Sequence, residues 1–374
     1  KMIIKTELLK DVCGEILTAV DSSEVSTLTE TLQLKTEGTY LYFSVTNREY
    51  FVKVRLDLGE TVDFNATVKA TLFLKLIPQI TTDTIELTVT ENSLNIVGNG
   101  KYKLPLIFDS NTQELLELPE IEINNVTNDF YINSSILTSI LKYNSKEIEK
   151  GVISRPVQYL YYVDEFGALT FTSGACINSF TLSEPVKLLL GAKLVKLFKL
   201  FKSGDVHCVI GQDAISNDMK QTKIKLETEN TVITAVFPLN NEAQMAQVPV
   251  TKIRDRANKT YPYEVSFNKD EILRAINRLM LLSNSADAKK SYTIFECDKD
   301  QVVIYDANKE NKETIYYSNQ TTISETYTMA LITTDLKTTI ECAGDTVNMK
   351  FGDGQAVVIT MGNIKNVVPE VRLK

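Results

Sequence analysis

Four lysines, Lys193, Lys196, Lys199 and Lys202, follow one another at three-residue intervals. On a helix turning about 100° per residue they share one half of the wheel, and Leu194, Leu197, Phe198 and Phe201 share the other. A row of ammonium groups backed by an apolar face suits sequence-independent contact with a phosphate backbone. Further cations sit in other predicted helices: Lys142 and Lys146, then Arg274, Arg278 and Lys337, and more thinly Lys10, Lys69 and Lys75. A single basic helix is usually a solvated face. Here, however, the helices collect cations while the chain as a whole is acidic, with 48 Asp and Glu against 40 Lys and Arg and a formal net charge of −8. Helices facing a common centre could then touch phosphates while the acidic remainder repels polyanions elsewhere.

Other chemistry is scarce. His207 is the single histidine, which removes most Ser-His-Asp, Cys-His and multi-histidine metal designs. It lies in an alternating strand and reads as structural. Cys13, Cys176, Cys208, Cys297 and Cys342 are scattered and never form a C-x-x-C pair, which argues against a disulfide framework and a zinc site and fits a reducing cytoplasm. Gly98-Asn99-Gly100-Lys101 has the wrong spacing for a phosphate loop, and Gly352-Asp353-Gly354 lacks the ligand series of a calcium loop, so both read as turns. No apolar run approaches the roughly 20 residues of a membrane span. No catalytic residue, metal or cofactor is expected, and a scaffold or binding role is.

The elements that would position the cations recur. A short apolar strand followed by a capped helix appears three times, with the caps Thr6, Asn133 and Asn268 at intervals of 127 and 135 residues. A second helix is expected over 70–80, 191–201 and 331–341, each followed by a strand opening at Asp83, Asp205 or Asp345. Alternating runs such as Val52, Val54 and Leu56 fill the intervals with half-buried strands. A period this long marks a repeated domain. The expected fold is therefore α+β, with three domains over 1–122, 123–250 and 251–374, each having two helices packed on antiparallel sheets. The acidic segment 111–125 and the Pro-flanked segment 248–262 read as exposed linkers.

This order of elements resembles the bacterial DNA polymerase III β sliding clamp family, phage relatives included, over essentially the whole chain. Thr46-Asn47-Arg48-Glu49 looks like the Thr-Asp-Leu-Glu stretch of that family's first domain. Ser154-Arg155-Pro156-Val157 is similar to its Thr-Arg-Pro-Val. The ending Val367–Leu373 looks like its Val-Val-Met-Pro-Met-Arg-Leu tail. The chain departs from the family where a Thr-Asp-x-His-Arg-Leu loop is replaced by Gly174-Ala175-Cys176-Ile177-Asn178-Ser179, and where Leu-Pro-Ile-Leu is replaced by Val25-Ser26-Thr27-Leu28. Lys374 extends past the family's usual end. The resemblance implies a non-enzymatic processivity factor: a head-to-tail homodimer that rings duplex DNA, lines the hole with helices and tethers a polymerase. The ring interface would then use Tyr102 and Leu104 with Leu281 and Leu282. A pocket for short linear motifs of polymerase and clamp loader would use Gln158, Cys176, Ile177, Asn178, Val248, Ala356, Val367, Val368, Pro369, Glu370, Val371, Arg372 and Leu373. The competing expectation is a clamp-fold adaptor that binds proteins without tethering DNA.

Overall fold

The computed structural model describes residues 1–21, 26–150, 154–216, 219–237, 242–282 and 291–373, so Val25 and Lys374 lie outside the described residues. The chain divides into two compact units, Lys1–Leu137 with Lys193–Asn240, and Thr138–Ala192 with Asn241–Lys374. The alternating apolar and polar runs form antiparallel strands, two sheets to each unit.

In the first unit, β1 (Met2–Lys5), β6 (Thr84–Val89), β7 (Ser93–Val97) and β8 (Lys101–Pro105) make a four-stranded sheet in that order. An eight-stranded sheet runs in the order β5 (Asn65–Lys69), β2 (Thr31–Glu37), β3 (Tyr40–Thr46), β4 (Tyr50–Asp57), β16 (Thr231–Phe237), β15 (Met219–Glu227), β14 (Asp205–Ser216) and β9 (Val126–Asn133). Helices α1 (Thr6–Leu17), α2 (Ala70–Leu76) and α5 (Ala192–Lys196) lead into or lie within this unit.

The second unit repeats the plan. Its eight-stranded sheet runs β13 (Lys187–Gly191), β10 (Leu160–Asp164), β11 (Gly167–Phe171), β12 (Ala175–Ser179), β24 (Ile364–Pro369), β23 (Ala356–Met361), β22 (Thr346–Phe351) and β17 (Tyr263–Asn268). Its four-stranded sheet runs β20 (Lys312–Tyr316), β19 (Gln301–Tyr305), β18 (Tyr292–Cys297) and β21 (Tyr327–Ile332). The helices are α3 (Ser134–Ser139), which spans the point of division, α4 (Ser145–Glu149), α6 (Glu242–Met245), α7 (Val250–Asn258), α8 (Lys269–Leu282) and α9 (Thr333–Glu341).

Each eight-stranded sheet has a seam where two repeats meet edge to edge. In the first unit β4 pairs with β16, from Val54 opposite Thr231 to Tyr50 opposite Ala235. In the second β12 pairs with β24, from Ala175 opposite Val367 to Asn178 opposite Ile364. Both seams follow one rule: the third strand of a three-stranded meander pairs with the last strand of the following repeat. Applied to the remaining sheets, the rule leaves β8 and β20 as edges without a partner strand among the described residues.

Two sequence expectations needed revision. Thr6 is the first residue of α1 rather than its cap, because its hydroxyl donates to the Thr82 carbonyl at 2.5 Å and is spent on the neighbouring loop. Asn133 and Asn268 do cap, accepting from the Ser135 and Glu271 amides at 3.0 and 3.1 Å. The segment 248–262 is no plain exposed linker: it carries α7, whose Ala257 is buried and whose Val250 and Ile253 pack against the same cluster. Their i, i+3, i+7 spacing is a helical face hidden among charges.

In the second unit α4 holds a buried ion pair, Lys150 to Glu147 at 2.7 Å, with side chains 3% and 0% exposed. Thr172 also donates to Glu147 at 2.6 Å. Gly174 sits where this pair meets the seam: a β-carbon there would collide with the Val367 carbonyl and stand 3.4 Å from both Glu147 Oε1 and Pro369 Cδ. On α9, burial holds the Asp335 carboxyl above its ordinary range, opposed by the Lys150 charge and a 3.3 Å hydrogen bond from Ser173.

Two outcomes follow. Gly174→Ala should cost about 2 kcal/mol of stability in urea denaturation, since Val367 is fixed by its strand and cannot yield. Asp335 has a folded pKa raised above its unfolded value, so its contribution to stability is present at low pH and lost as pH rises through the folded pKa. Thermal melts should therefore show Asp335→Asn gaining on the parent as pH rises from 4 to 8.

Candidate nucleic-acid interface and partner pocket

The predicted basic helix is α5 continued by a 3-10 turn over Leu197–Leu200. A 3-10 helix has three residues per turn, so lysines spaced by three line up along one side more closely than on an α-helix. Leu194, Val195, Leu197, Phe198, Leu200 and Phe201 are buried beneath it. Lys196 and Lys199 project into solvent.

The structure sorts the expected phosphate-contacting cations into engaged and available. In the first unit Lys193 lies 2.9 Å from Asp21 and 3.3 Å from Glu49, Lys69 lies 3.1 Å from Glu30, and Lys202 lies 2.6 Å from Glu15 of α1. The Glu15 hydrogen bond holds the Lys202 ammonium above its ordinary range. In the second unit Lys146 pairs with Glu149 at 2.6 Å, and Arg274 and Lys337 stand 3.7 and 3.9 Å from Asp270 and Glu341. Arg278 grips Glu313 of β20 with Nε and Nη2 at 2.6 and 2.8 Å, so it fastens α8 to the free edge strand. Among the described residues Lys10, Lys75, Lys142, Lys196 and Lys199 form no ion pair, although Lys142 lies over the Tyr143 ring at 4.8 Å. Lys142 stands in a π turn, Ile140–Asn144. There the buried Asn144 amide donates to Thr170 and to the Cys176 carbonyl, both at 3.3 Å, and moors the helix to the sheet.

Each unit gathers helices of two repeats. In the first, α1 packs on α2, and Lys202 after α5 reaches α1. In the second, α9 packs on both α8 and α4. On α8, Ile272, Ile276 and Leu279 are buried while Arg274 and Arg278 face solvent.

The expected partner pocket separates into four groups, all in the second unit. Ile177, Val248, Ala356 and Val367 converge in one buried apolar cluster with Tyr162, Leu169 and Ala257. Cys176, Asn178 and Val368 face away from it, as strand alternation requires. Cys176 is fully buried, which pushes its thiol well up. Asn178 donates to Ser139 at 2.8 Å, and Val368 packs in the larger core with α8 and α9. Gln158 orders the approach loop: its Oε1 accepts from the Ser154 and Arg155 amides at 2.8 and 2.9 Å, and its Nε2 donates to the Thr172 carbonyl at 3.1 Å. Pro369, Glu370 and Val371 are half-exposed, and Arg372 and Leu373 are exposed. Tyr327 donates to Glu370 at 3.2 Å, and burial raises that carboxyl above its ordinary range. Sequence reasoning missed Met245, Val250 and Ile253, which pack against the apolar cluster.

At the expected ring interface, Tyr102 and Leu104 are half-exposed on the free edge β8. Leu281 and Leu282 end α8 with 85% and 57% exposure, and Tyr316 of β20 is 64% exposed. His207 does sit in a strand, β14, with Nε2 2.6 Å from Asp129 and its ring stacked on Tyr131 at 4.9 Å.

No protein-family model and no curated protein matches this chain in sequence. Solved structures do match in shape. The beta subunit from DNA polymerase of Streptococcus pyogenes superimposes with a TM-score of 0.78 at 16% identity, covering 99% of each chain. The chain has the sliding-clamp fold. The DNA polymerase III subunit beta sliding clamp of Pseudomonas aeruginosa, bound to griselimycin, agrees with a TM-score of 0.77 at 15% identity over 100% of this chain and 99% of that one. The Borrelia burgdorferi subunit agrees with 0.78 at 13% over 100% and 99%. Clamp architecture is thus preserved along the whole chain while sequence identity is low.

Clamp helices with engaged and available cations should respond differently to truncation. Lys196→Ala and Lys199→Ala should each stay within about 0.5 kcal/mol of the parent in chemical denaturation. Lys193→Ala should fall measurably below both, because it leaves Asp21 and Glu49 facing one another without the cation.

Proposed function

We propose that this protein is a DNA sliding clamp: a non-enzymatic, head-to-tail homodimer that encircles duplex DNA and tethers a polymerase. The observation that carries the reading is the pair of free edges. Within the chain, the third strand of each meander pairs with the last strand of the following repeat, twice. Among the described residues, β20 of the third repeat and β8 of the first are the two positions of that rule left without a partner strand. Pairing β20 of one copy with β8 of another continues the rule and makes a third kind of eight-stranded sheet. Two copies joined this way at both ends use all four edges, and a heterologous contact that closes on itself is a ring. Leu281, Leu282 and Tyr316 supply apolar surface beside that edge, where a monomer would expose it to water. Against Tyr102 and Leu104 this surface becomes the interface.

In such a ring the three domains, 1–122, 123–250 and 251–374, appear twice. Their basic helices face duplex DNA, with Lys10, Lys75, Lys142, Lys196 and Lys199 as the cations free to meet phosphate. Lys69, Lys146, Lys193, Lys202, Arg274, Arg278 and Lys337 are held by neighbouring carboxylates, which position them and offset their charge. Retention comes from closure rather than affinity, so an acidic chain is no obstacle. Short linear motifs of a polymerase and a clamp loader dock beside the cluster of Ile177, Val248, Ala356 and Val367 and the tail that follows it. The five free cysteines and the absence of a described helix able to cross a membrane are consistent with a cytoplasmic setting.

The experiment is to measure solution mass for the parent and for Leu281→Asp/Leu282→Asp, then retention after loader-assisted loading on nicked circular and linear DNA. The parent should be a dimer that stays on circles and leaves linear ends. The double variant should be a folded monomer with no preference between the two DNAs. A parent that is a stable monomer, or that leaves both DNAs equally fast, overturns the reading.

A further inference from the structure

The two linkers do more than join repeats. In the first unit the segment after Leu116 crosses the face of the eight-stranded sheet, meeting the strands in their spatial order. Thr67 of β5 donates to the Leu116 carbonyl at 2.8 Å. Lys35 of β2 meets Glu117 at 3.2 Å, and Lys53 of β4 meets Glu120 at 3.3 Å. Lys223 of β15 donates to the Glu122 carbonyl at 2.7 Å, and Asp213 of β14 accepts from the Asn124 and Asn125 amides at 3.2 and 2.9 Å. The chain then enters the sheet as β9.

The length leaves little slack. From β5 to β14 is six strand steps, about 29 Å at ordinary spacing, and the eight residue steps from Leu116 to Asn124 reach at most about 29 Å when fully extended. Pro119 favours extended backbone, and Leu116 and Leu118 are buried beneath the segment. The seam between β4 and β16 lies under this strap, between the Lys53 and Lys223 anchors.

The second linker does the same with a helix. Arg254 of α7 holds Asp164 at the end of β10 with two hydrogen bonds of 2.7 and 2.8 Å. Asn258 accepts from Lys365 of β24 at 2.6 Å, and Arg256 and Lys259 hold Asp353, in the turn between β22 and β23, at 2.5 and 3.0 Å. The apolar side of α7 packs with Ile177 and Val367, one from each strand of the seam. This linker too feeds an edge strand, β17.

We propose that the two linkers are ion-paired straps that lock the seams within the chain. Each strap acts within its own unit and stands apart from the ring reading above.

The test uses the full chain and hydrogen–deuterium exchange at low salt, read on peptides covering β4 and β16. Glu117→Lys/Glu120→Lys, and separately Lys35→Glu/Lys53→Glu, should raise seam exchange roughly fivefold while leaving β6 and β7 unchanged. Combining all four substitutions should restore protection. In the second unit Arg254→Glu should loosen β12 and β24, and adding Asp164→Arg should restore them. Seam exchange that ignores the reversals, or a combined variant no better protected than its parts, overturns the strap. Solution mass on the same samples reports on the ring separately: a monomeric parent with strap-dependent seams would sink the ring and leave the strap standing.

Discussion

Antiparallel pairing at the seams is the constraint on which the rest of the molecule depends. A sheet edge exposes a row of unpaired amides and carbonyls, and leaving such an edge bare invites uncontrolled association. This chain disposes of two pairs of edges internally, β4 with β16 and β12 with β24. The consequence is that the central repeat cannot be a free-standing body. Its strands are divided between the two units, half completing the sheet of the first repeat and half that of the third.

Charge is placed around this framework with two purposes. On the helices, cations project outward over buried Leu, Ile and Phe, and about half of those expected to meet phosphate are held by a neighbouring carboxylate. Pairing of this kind fixes side-chain positions and lowers the local field. In the first unit lysines of the sheet meet carboxylates of the linker, and in the second arginines of the linker helix meet aspartates of the sheet and its turn. Exposed pairs are individually weak, yet arranged in series along one taut segment they act on the same coordinate, the separation of two strands.

The buried charges have a different character. Glu147 and Lys150 form an ion pair with almost no solvent access, near Asp335 and next to the glycine that lets the β11–β12 turn approach the C-terminal strand. Breaking one partner would strand the other in a low-dielectric site. The cluster lies against Gly174, at the start of the segment that leads into β12.

Periodicity and turn chemistry determined much in advance. The threefold order of elements, the α+β class, the turns at Gly98–Gly100 and Gly352–Gly354 and the basic face of 193–202 are all local properties, and local properties are written in residue spacing. The helix at 250–258 stayed hidden because its apolar face is three residues wide among Lys, Arg and Asp, and hydropathy averages it away. Which cations are free, which predicted pocket residues share a cluster and which strands are edges are relations between positions often a hundred residues apart. Lys202 finds Glu15, Arg254 finds Asp164, and Glu120 finds Lys53 because strand order brings them together. Residue spacing alone was enough for the repeated unit and the sign of its faces. How the repeats share sheets emerges on folding, since edge pairing is set by backbone groups that every residue carries alike.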